Sequence, residues 1–366
     1  MGAPRVTAQV TRRWVLVAAG TAVLVGAAAV TLPAAASAAP EDLRARILAG
    51  VPPHEGYAES TGRLGLPEIA ALEQVTALLS GVTRLRVRYA GADSWRVDEL
   101  TPAGERDTYR LAGREYVWDF GANQLTVVEG ETPVRLPRPA DLVPSELARR
   151  LVSLTRADPV APIDARRVAG FDAAGFRVSP ADPDTTVGRI DVWCDPTSGL
   201  PLRVEVAARG QDLPLLFTEF REVALTTPDI TVPTAPPGAG SVTAQAADLA
   251  GALRQLDAAP PPPRLAGRDL VPWGGELPGV GVYGTGASGF VLVPASRGVA
   301  DRVVDGAPAA GGTVVEVPVG RAAILTTPLL SVAARGGIRR GGVLVAGTVA
   351  PAVLEQALRE LPGRRA

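Results

Sequence analysis

Histidine and cysteine occur only once each in this chain of 366 residues, lysine is absent, and aromatic residues make up 4% of the sequence. A Ser-His-Asp or Cys-His catalytic arrangement would depend on His54, which follows two prolines and is expected in a surface loop. No Cys and His residues have the spacing of metal ligands, which excludes a zinc site. The chain also has no Walker-type loop and no G-x-S-x-G elbow. We therefore predict that the protein is not an enzyme, with no catalytic residue, metal or cofactor.

The single cysteine and the balanced charge exclude two further classes of protein. Cys194 cannot form an intramolecular disulfide, and its place at the end of the strand-like residues 190–193 predicts a small buried side chain rather than a reactive thiol. The 37 basic and 38 acidic residues give a formal net charge of −1. Such a balance provides no electrostatic footprint for nucleic acid, so we predict no nucleic-acid partner.

Residues 1–39 have the composition of a signal peptide or an N-terminal membrane anchor. A basic stretch with three arginines precedes an apolar run over residues 14–32, which ends in small residues. Cleavage after Ala38 would follow the A-x-A rule, whereas a run of about 19 residues is also long enough to span a bilayer uncleaved. Arg12 and Arg13 loosely resemble a twin-arginine signal. We predict export, with the protein anchored at the outer face of the cytoplasmic membrane or secreted to the cell-wall space.

The remaining composition favours a fold of the α+β class, mainly antiparallel β. The 40 glycines and 34 prolines indicate many short elements joined by turns. A chain of this length exceeds the usual single domain. We predict a first domain over residues 41–227, a Pro/Gly-rich linker over 228–264 and a smaller α+β domain over 265–366.

The first domain carries the clearest strand signals. Residues 83–89 alternate strictly, with Leu85, Val87 and Tyr89 on one face and three arginines on the other. Turn residues at intervals of about ten residues indicate a meander of further strands. Strands are predicted at 56–64, 83–89, 94–100, 105–111, 114–120, 124–129, 166–169, 175–179, 187–195, 200–207 and 213–223, and helices at 41–49, 66–80 and 141–156.

The linker and the second domain follow from proline clusters and apolar runs. Prolines bound residues 228–264, with a short helix predicted at 244–256. Beyond them, strands are predicted at 289–293, 313–318, 321–325, 329–335 and 342–347, and a terminal helix at 351–361. Residues 279–284 match G-x-G-x-x-G, but a proline precedes them and a strand rather than a helix follows, so we predict a glycine-rich turn and no dinucleotide site.

Three carboxylates lie close together in the sequence, which raises the question of a glycosidase pair. Asp98 and Glu99 fall on opposite faces of their predicted strand, whereas such a pair must face one substrate. We predict that these residues and Asp93 are solvated surface charges.

The hairpin over residues 190–205 resembles the LolA/RseB superfamily. Its turn, Asp195-Pro196-Thr197-Ser198-Gly199, leads into Leu200-Pro201-Leu202-Arg203. The export signal, the meander and an aromatic-containing strand near residues 217–220 add to this resemblance, which covers about residues 55–225. The family comprises periplasmic lipoprotein carriers, RseB-type (MucB) sigma-factor regulators and related actinobacterial exported proteins. It implies a half-open, curved antiparallel β-barrel with covering helices and a hydrophobic cavity between them.

Residues 343–351 and the helix after them resemble the end of the second domain of RseB-type proteins, which pure carriers lack. The resemblance implies an extracytoplasmic, non-enzymatic regulatory protein with a cavity for lipid and a second domain for protein contact. Its expected partners are a lipid or acylated ligand and a membrane-bound anti-sigma factor or other membrane protein. Two alternatives stay open: a LolA-like carrier of lipids or lipoproteins, and an extracytoplasmic hydrolase, which would need clustered carboxylates in the cavity.

Apolar side chains that alternate along the predicted strands are the candidates for lining this cavity. Each of them could equally belong to the core, because a sheet covered by helices buries one face with or without a ligand. The candidates are Leu85, Val87, Tyr89, Trp95, Val97, Tyr116, Trp118, Ile190, Val192, Leu202 and Val204.

Overall fold

A computed structural model describes residues 38–65, 73–102, 104–130, 135, 137–245, 249–256, 258–272, 277–338 and 341–362. The predicted signal segment up to residue 37 and the first half of the helix predicted at 66–80 lie outside these ranges. Among the described residues, no helix combines the length and the apolar character needed to cross a membrane.

Twelve strands form one large sheet, which confirms the predicted antiparallel β class. The strands are β1 His54–Gly62, β2 Val82–Gly91, β3 Ser94–Thr101, β4 Gly104–Leu111, β5 Arg114–Asp119, β6 Gln124–Glu129, β7 Val160–Val168, β8 Phe171–Val178, β9 Val187–Cys194, β10 Pro201–Ala208, β11 Leu216–Ala224 and β12 Gly240–Gln245. They pair in the order β12-β6-β5-β4-β3-β2-β1-β11-β10-β9-β8-β7, so the two ends of the sheet remain open, as in a half-open barrel.

The register of β2 to β5 defines two faces of this sheet. Val87 lies opposite Val97, which lies opposite Thr108, which in turn lies opposite Val117. We call this the inner face. Because side chains alternate along a strand, the neighbouring row points the other way and defines the outer face. That row is Arg86, Asp98, Asp107 and Trp118.

Three helices cover the inner face, as the family resemblance implied. They are α1 Pro40–Ala49, α2 Glu73–Ser80 and α3 Pro144–Leu154, and a 3-10 turn, Pro139–Leu142, precedes α3. Leu43 and Ile47 of α1 and Val152 of α3 are buried against β8, β9 and β10. Full burial of such a side chain stabilises the fold by about 1.5–3 kcal/mol, so this packing fixes the helices on the sheet.

Part of the predicted linker is a strand of the large sheet. β12 pairs with β6 in parallel, whereas the other strand pairs of this sheet are antiparallel. The helix predicted at 244–256 is shorter in the structure, where α4 spans Leu249–Arg254 and residues 244–245 belong to β12. The unpaired backbone groups of the β6 edge favour an added strand, and this tertiary effect overrides the Pro/Gly composition of the segment.

The C-terminal part contains a second sheet of six strands, on which two helices pack. Its elements are the small hairpin β13 Arg264–Leu265 and β14 Arg268–Asp269, then β15 Gly281–Tyr283, β16 Phe290–Ala295, α5 Arg297–Gly306, β17 Thr313–Val315, β18 Arg321–Thr326, β19 Ser331–Ile338, β20 Gly341–Gly347 and α6 Pro351–Glu360. The strands of the sheet pair in the order β15-β16-β20-β19-β18-β17. Helices α5 and α6 bury Ala300, Val304, Leu354 and Leu358. Helix α5 was not predicted from the sequence; its cap is Ser296, whose side chain accepts a hydrogen bond from the Val299 N–H.

The loop before β9 joins the two sheets. The Thr185 hydroxyl lies 2.6 Å from the Ala287 carbonyl oxygen and 2.9 Å from that of Thr348. Arg268 forms ion pairs at 3.2 Å with Asp182 and Asp184. These contacts link the two lobes directly, whereas the predicted division at residues 41–227 and 265–366 stays a prediction.

Candidate functional site

The best candidate for a functional site is a cavity of about 430 Å³ on the inner face. It lies between the β2-β3 hairpin and the segment that leads into α3. Its volume falls within the usual range for small-molecule sites, about 300–1,000 Å³. Its apolar wall consists of Val51, Val87, Tyr89, Ala92, Trp95, Val97, Ala140 and Val143, and its polar rim of Asp93, Arg110, Arg138, Asp141, Ser145, Glu146, Arg149 and Arg150.

Strand register explains how the apolar wall forms. Val87 lies opposite Val97, and Tyr89 lies opposite Trp95, so four large side chains stand on one patch of the inner face. Val87 and Val97 are buried, whereas the two aromatic rings are half-buried and form the accessible part of the wall. The wall can therefore hold an apolar group against the sheet.

Arginines dominate the rim. The Arg138 guanidinium lies 5.1 Å from the centre of the Trp95 ring and also pairs with Glu115. Arg149 and Arg150 pair with Glu146 at 2.9 and 2.5 Å. Guanidinium groups at a cavity mouth can bind carboxylate or phosphate, because their donors match these anions in geometry.

The rim carboxylate Asp141 is held in its charged form. Asp141 accepts hydrogen bonds of 2.6 Å from both terminal nitrogens of Arg135 and a backbone bond from Arg138. Burial acts to raise the pKa of Asp141, but these hydrogen bonds and the nearby arginines outweigh it and lower the pKa. A paired, ionised carboxylate is poorly suited to donate a proton in catalysis.

The structure brings four of the eleven cavity candidates to the site: Val87, Tyr89, Trp95 and Val97. Leu85 and Leu202 face inwards but pack in the core with Ala58 and Phe220. Ile190, Val192 and Val204 are fully covered by α1 and α3. These five candidates are core residues in this structure, because helices occupy the inner face over them.

Tyr116 and Trp118 lie on the outer face, away from the cavity. Trp118 is opposite Asp107, and Tyr116 is opposite Tyr109. The inner face of β5 carries Val117 instead. Alternation within one strand does not say which set of residues faces a given neighbour, and the register across four strands settles it.

The polar rim was not predicted from the sequence. Asp141, Ser145 and Glu146 come from the start of the helix predicted at 141–156, and Arg138 lies just before it. The prediction placed a helix here but did not show which sheet patch it would meet. In the sequence, the signal for this rim is the cluster of four arginines and two acidic residues between residues 135 and 150.

His54 is buried in β1, and the prediction of a surface loop was wrong. Its Nδ1 lies 2.8 Å from the Pro52 carbonyl oxygen, and its Nε2 lies 3.2 Å from the Ser145 hydroxyl. Nδ1 therefore carries the hydrogen, and Nε2 accepts from Ser145. Burial lowers the pKa of His54, and the Pro52 carbonyl opposes this effect only in part. A neutral His54 ties β1 to α3 directly behind the cavity.

The prediction of a solvated surface charge was wrong for Asp98, whereas Asp93 is exposed as predicted. Asp98 is fully buried on the outer face rather than solvated, and one of its oxygens lies within 4.8 Å of one oxygen each of Glu105 and Asp107. Arg96 binds Asp98 at 2.5 Å and Asp107 at 2.8 Å and thus supplies the counter-charge. Burial, together with the charge of Asp98, raises the pKa of Asp107 to about 7.

The thiol of Cys194 is buried at the end of β9, as the sequence predicts. Burial, with a smaller effect from Asp195, raises its pKa to about 12. Since the thiolate is the reactive form, this cysteine is inert at ordinary pH.

No protein-family model and no curated protein matches the chain. Among solved structures, it is similar to MucB in complex with MucA(peri), with 17% identity, a TM-score of 0.47, and coverage of 89% of this chain and 98% of that one. The match to the Pseudomonas aeruginosa MucA/MucB complex has 16% identity and a TM-score of 0.44, and it covers 89% of this chain and 98% of that one. A LolA superfamily protein from Nitrosomonas europaea is 13% identical to this chain with a TM-score of 0.23, and the match covers 53% of this chain and 95% of that one.

The open antiparallel sheet, its covering helices and the cavity between them agree with the architecture that the sequence resemblance implied.

Proposed function

We propose that this protein is an extracytoplasmic, non-enzymatic binding protein whose cavity takes the apolar part of a lipid or acylated ligand. The observation that carries the proposal is the composition of the cavity, with an apolar wall on the sheet and an arginine-rich rim. An acyl chain against that wall gains about 0.8 kcal/mol for each buried methylene group. The rim arginines suit an anionic headgroup at the mouth.

We further propose a regulatory rather than a carrier role. The C-terminal lobe supports this choice, since residues 343–351 resemble the second domain of RseB-type proteins and the loop before β9 links that lobe to the large sheet. The partner would be a membrane-bound anti-sigma factor or another membrane protein, which would be bound at the outer face of the cytoplasmic membrane. The alternative is a LolA-like carrier, which would use the same cavity and transfer its ligand between membranes.

The third hypothesis, an extracytoplasmic hydrolase, has less support. The rim does contain the carboxylates that it requires, but Asp141 and Glu146 are each paired with two arginines among the described residues. Ser145 and His54 form a hydrogen bond, yet both are buried, and the Pro52 carbonyl stands where a catalytic carboxylate would be. We interpret this pair as structural.

The test is native mass spectrometry with lipid extraction of the full chain purified from a homologous host. We expect a co-purifying lipid or acylated peptide that is lost in Val87→Arg and in Trp95→Glu. Trp95 is half-buried, so the second variant is the more tolerant of the two. Leu154→Glu is the matched control, because this side chain is 61% exposed and lies outside the cavity.

Thermal unfolding of each variant establishes that it folds. An empty cavity in the wild-type protein, or a ligand that survives both cavity substitutions in folded variants, would contradict the proposal.

A further inference from the structure

Residues 228–245 cross the outer face of the large sheet and end in β12; we call this segment the strap. Of the six residues of β12, five are exposed and one is half-buried. The strand is therefore held mainly by its backbone pairing with β6. A strand that buries so little apolar surface is weakly attached.

Polar contacts fix the strap at the two ends of β12. Near its start, the Gly240 N–H donates to the Asn123 carbonyl at 3.0 Å, and the Asn123 side chain donates to the Gly238 carbonyl at 3.4 Å. At its end, the Gln245 side chain donates to Glu129 at 3.1 Å. Glu129 and Gln245 are both on the surface, where such bonds add little stability.

Beneath the strap lies an aromatic cluster on the outer face, made of Tyr109, Leu111, Tyr116, Trp118 and Leu125. Ile230, Ala235 and Ala239 of the strap pack against this cluster. Small side chains cover most of it, and Ile230 is the one large aliphatic contact from the strap. The surface is thus already shaped for an extended segment of small residues with one aliphatic side chain.

We propose that the strap is a displaceable cover, and that the β6 edge and the aromatic cluster beneath it form a docking site for an extended segment of a protein partner. The strap shows the chemistry that fits: a strand parallel to β6, with small or β-branched residues, preceded by an aliphatic anchor. Addition of a strand to an open sheet edge is a common mode of peptide recognition. The site is on the outer face, so it is independent of the ligand cavity.

The tethered strap competes with any outside segment at an effective concentration of about millimolar. Release of the strap should therefore expose a site that the wild-type protein largely conceals. The probe is a fluorescein-labelled peptide of residues 229–245, measured by fluorescence anisotropy. The receptor is a full-length variant in which residues 229–245 are replaced by a Gly/Ser linker of equal length.

We expect the peptide to bind the linker variant at least about ten-fold more tightly than the wild type. A peptide with Ile230→Asp should bind the linker variant about ten-fold more weakly, because a charge would enter the aromatic cluster. The matched control carries Thr126→Cys and Val242→Cys, two positions that pair directly across β6 and β12. Once oxidised, it should not bind the peptide.

Hydrogen exchange on the wild-type protein provides a second test that needs no substitution. The amides that join β6 and β12 should exchange about ten-fold faster than those of β3 and β4, because their hydrogen bonds break when the strap leaves. Equal protection of β6 and the central strands would contradict the proposal. So would a linker variant that unfolds at the wild-type temperature and does not bind the peptide. Dimers that exchange straps, seen by light scattering, would make a second copy the occupant and overturn the choice of partner.

Discussion

At the residue scale, two buried groups on opposite faces of the sheet give the protein opposing responses to pH. His54 is held neutral on the inner face, and Asp107 holds a proton to about pH 7 on the outer face. Each shift is a difference in proton affinity between folded and unfolded chain, so each contributes to the pH dependence of the free energy of unfolding.

A variant without the His54 imidazole should lose less free energy of unfolding than the wild type as the solution becomes acidic. Burial lowers the pKa of His54 from 6.5, so the unfolded chain takes up the proton first, and wild-type stability falls as pH falls below about 6.5. As pH falls from about 7 to about 5, the free energy of unfolding of His54→Gln should therefore rise relative to that of the wild type. Urea unfolding at both pH values measures it, and a constant difference would contradict the cause given.

Asp107→Asn should show the opposite sign. The stability that protonated Asp107 contributes is fully present below about pH 3.8 and is lost as pH rises to about 7. The free energy of unfolding of Asp107→Asn should therefore rise relative to that of the wild type as pH rises from about 3.8 to about 7. Urea unfolding at about pH 4.5 and 8 tests it; Asp172→Asn, which removes an exposed carboxylate, is the control.

At the scale of elements, the packing of α1 and α3 on the sheet holds the inner face together. Ile47 has no exposed surface and contacts the same cluster as Val152 and Ile190. Ile47→Ala should reduce the free energy of unfolding by about 2–5 kcal/mol, since it leaves a cavity in a packed core. Leu154→Ala, at an exposed position of α3, should change it by less than about 0.5 kcal/mol. Comparable losses in the two variants would mean that α1 is not part of the cooperative core.

The strands of the large sheet could be predicted because alternation and turn residues are local signals. The prediction at 124–129 coincides with β6, and that at 94–100 differs from β3 by one residue. Three features could not be predicted, since they depend on distant partners: the face of Trp118, the buried place of His54 beside Ser145, and the pairing of β12 with β6. Helix α5 was missed because only Ala300 and Val304 mark its buried side.

At the scale of the whole molecule, the two lobes share hydrogen bonds, an isolated antiparallel bridge between Thr185 and Val349, and the packing of Leu329 in a core cluster of the large sheet. The hydroxyls of Thr185 and Thr348 both point at the Ala287 carbonyl, each at 2.6 Å. Replacing both by valine would leave that half-buried carbonyl without these two donors, at a cost of about 1 kcal/mol. We expect the single calorimetric transition of the wild type to broaden or split in the double variant.

Thr313→Val, at an exposed position of β17, is the control for this experiment and should keep the wild-type transition. An unchanged, single transition in the double variant would show that the hydroxyls do not couple the lobes.

The buried Cys194 has a practical consequence for anyone who studies these motions. With its pKa raised to about 12 and no lysine in the chain, the folded protein offers reactive dyes no native thiolate and no lysine amine. A cysteine introduced at an exposed site will therefore be labelled alone. Paired dyes on the strap and on a central strand, or on the two lobes, can follow opening in single molecules without first removing any native residue.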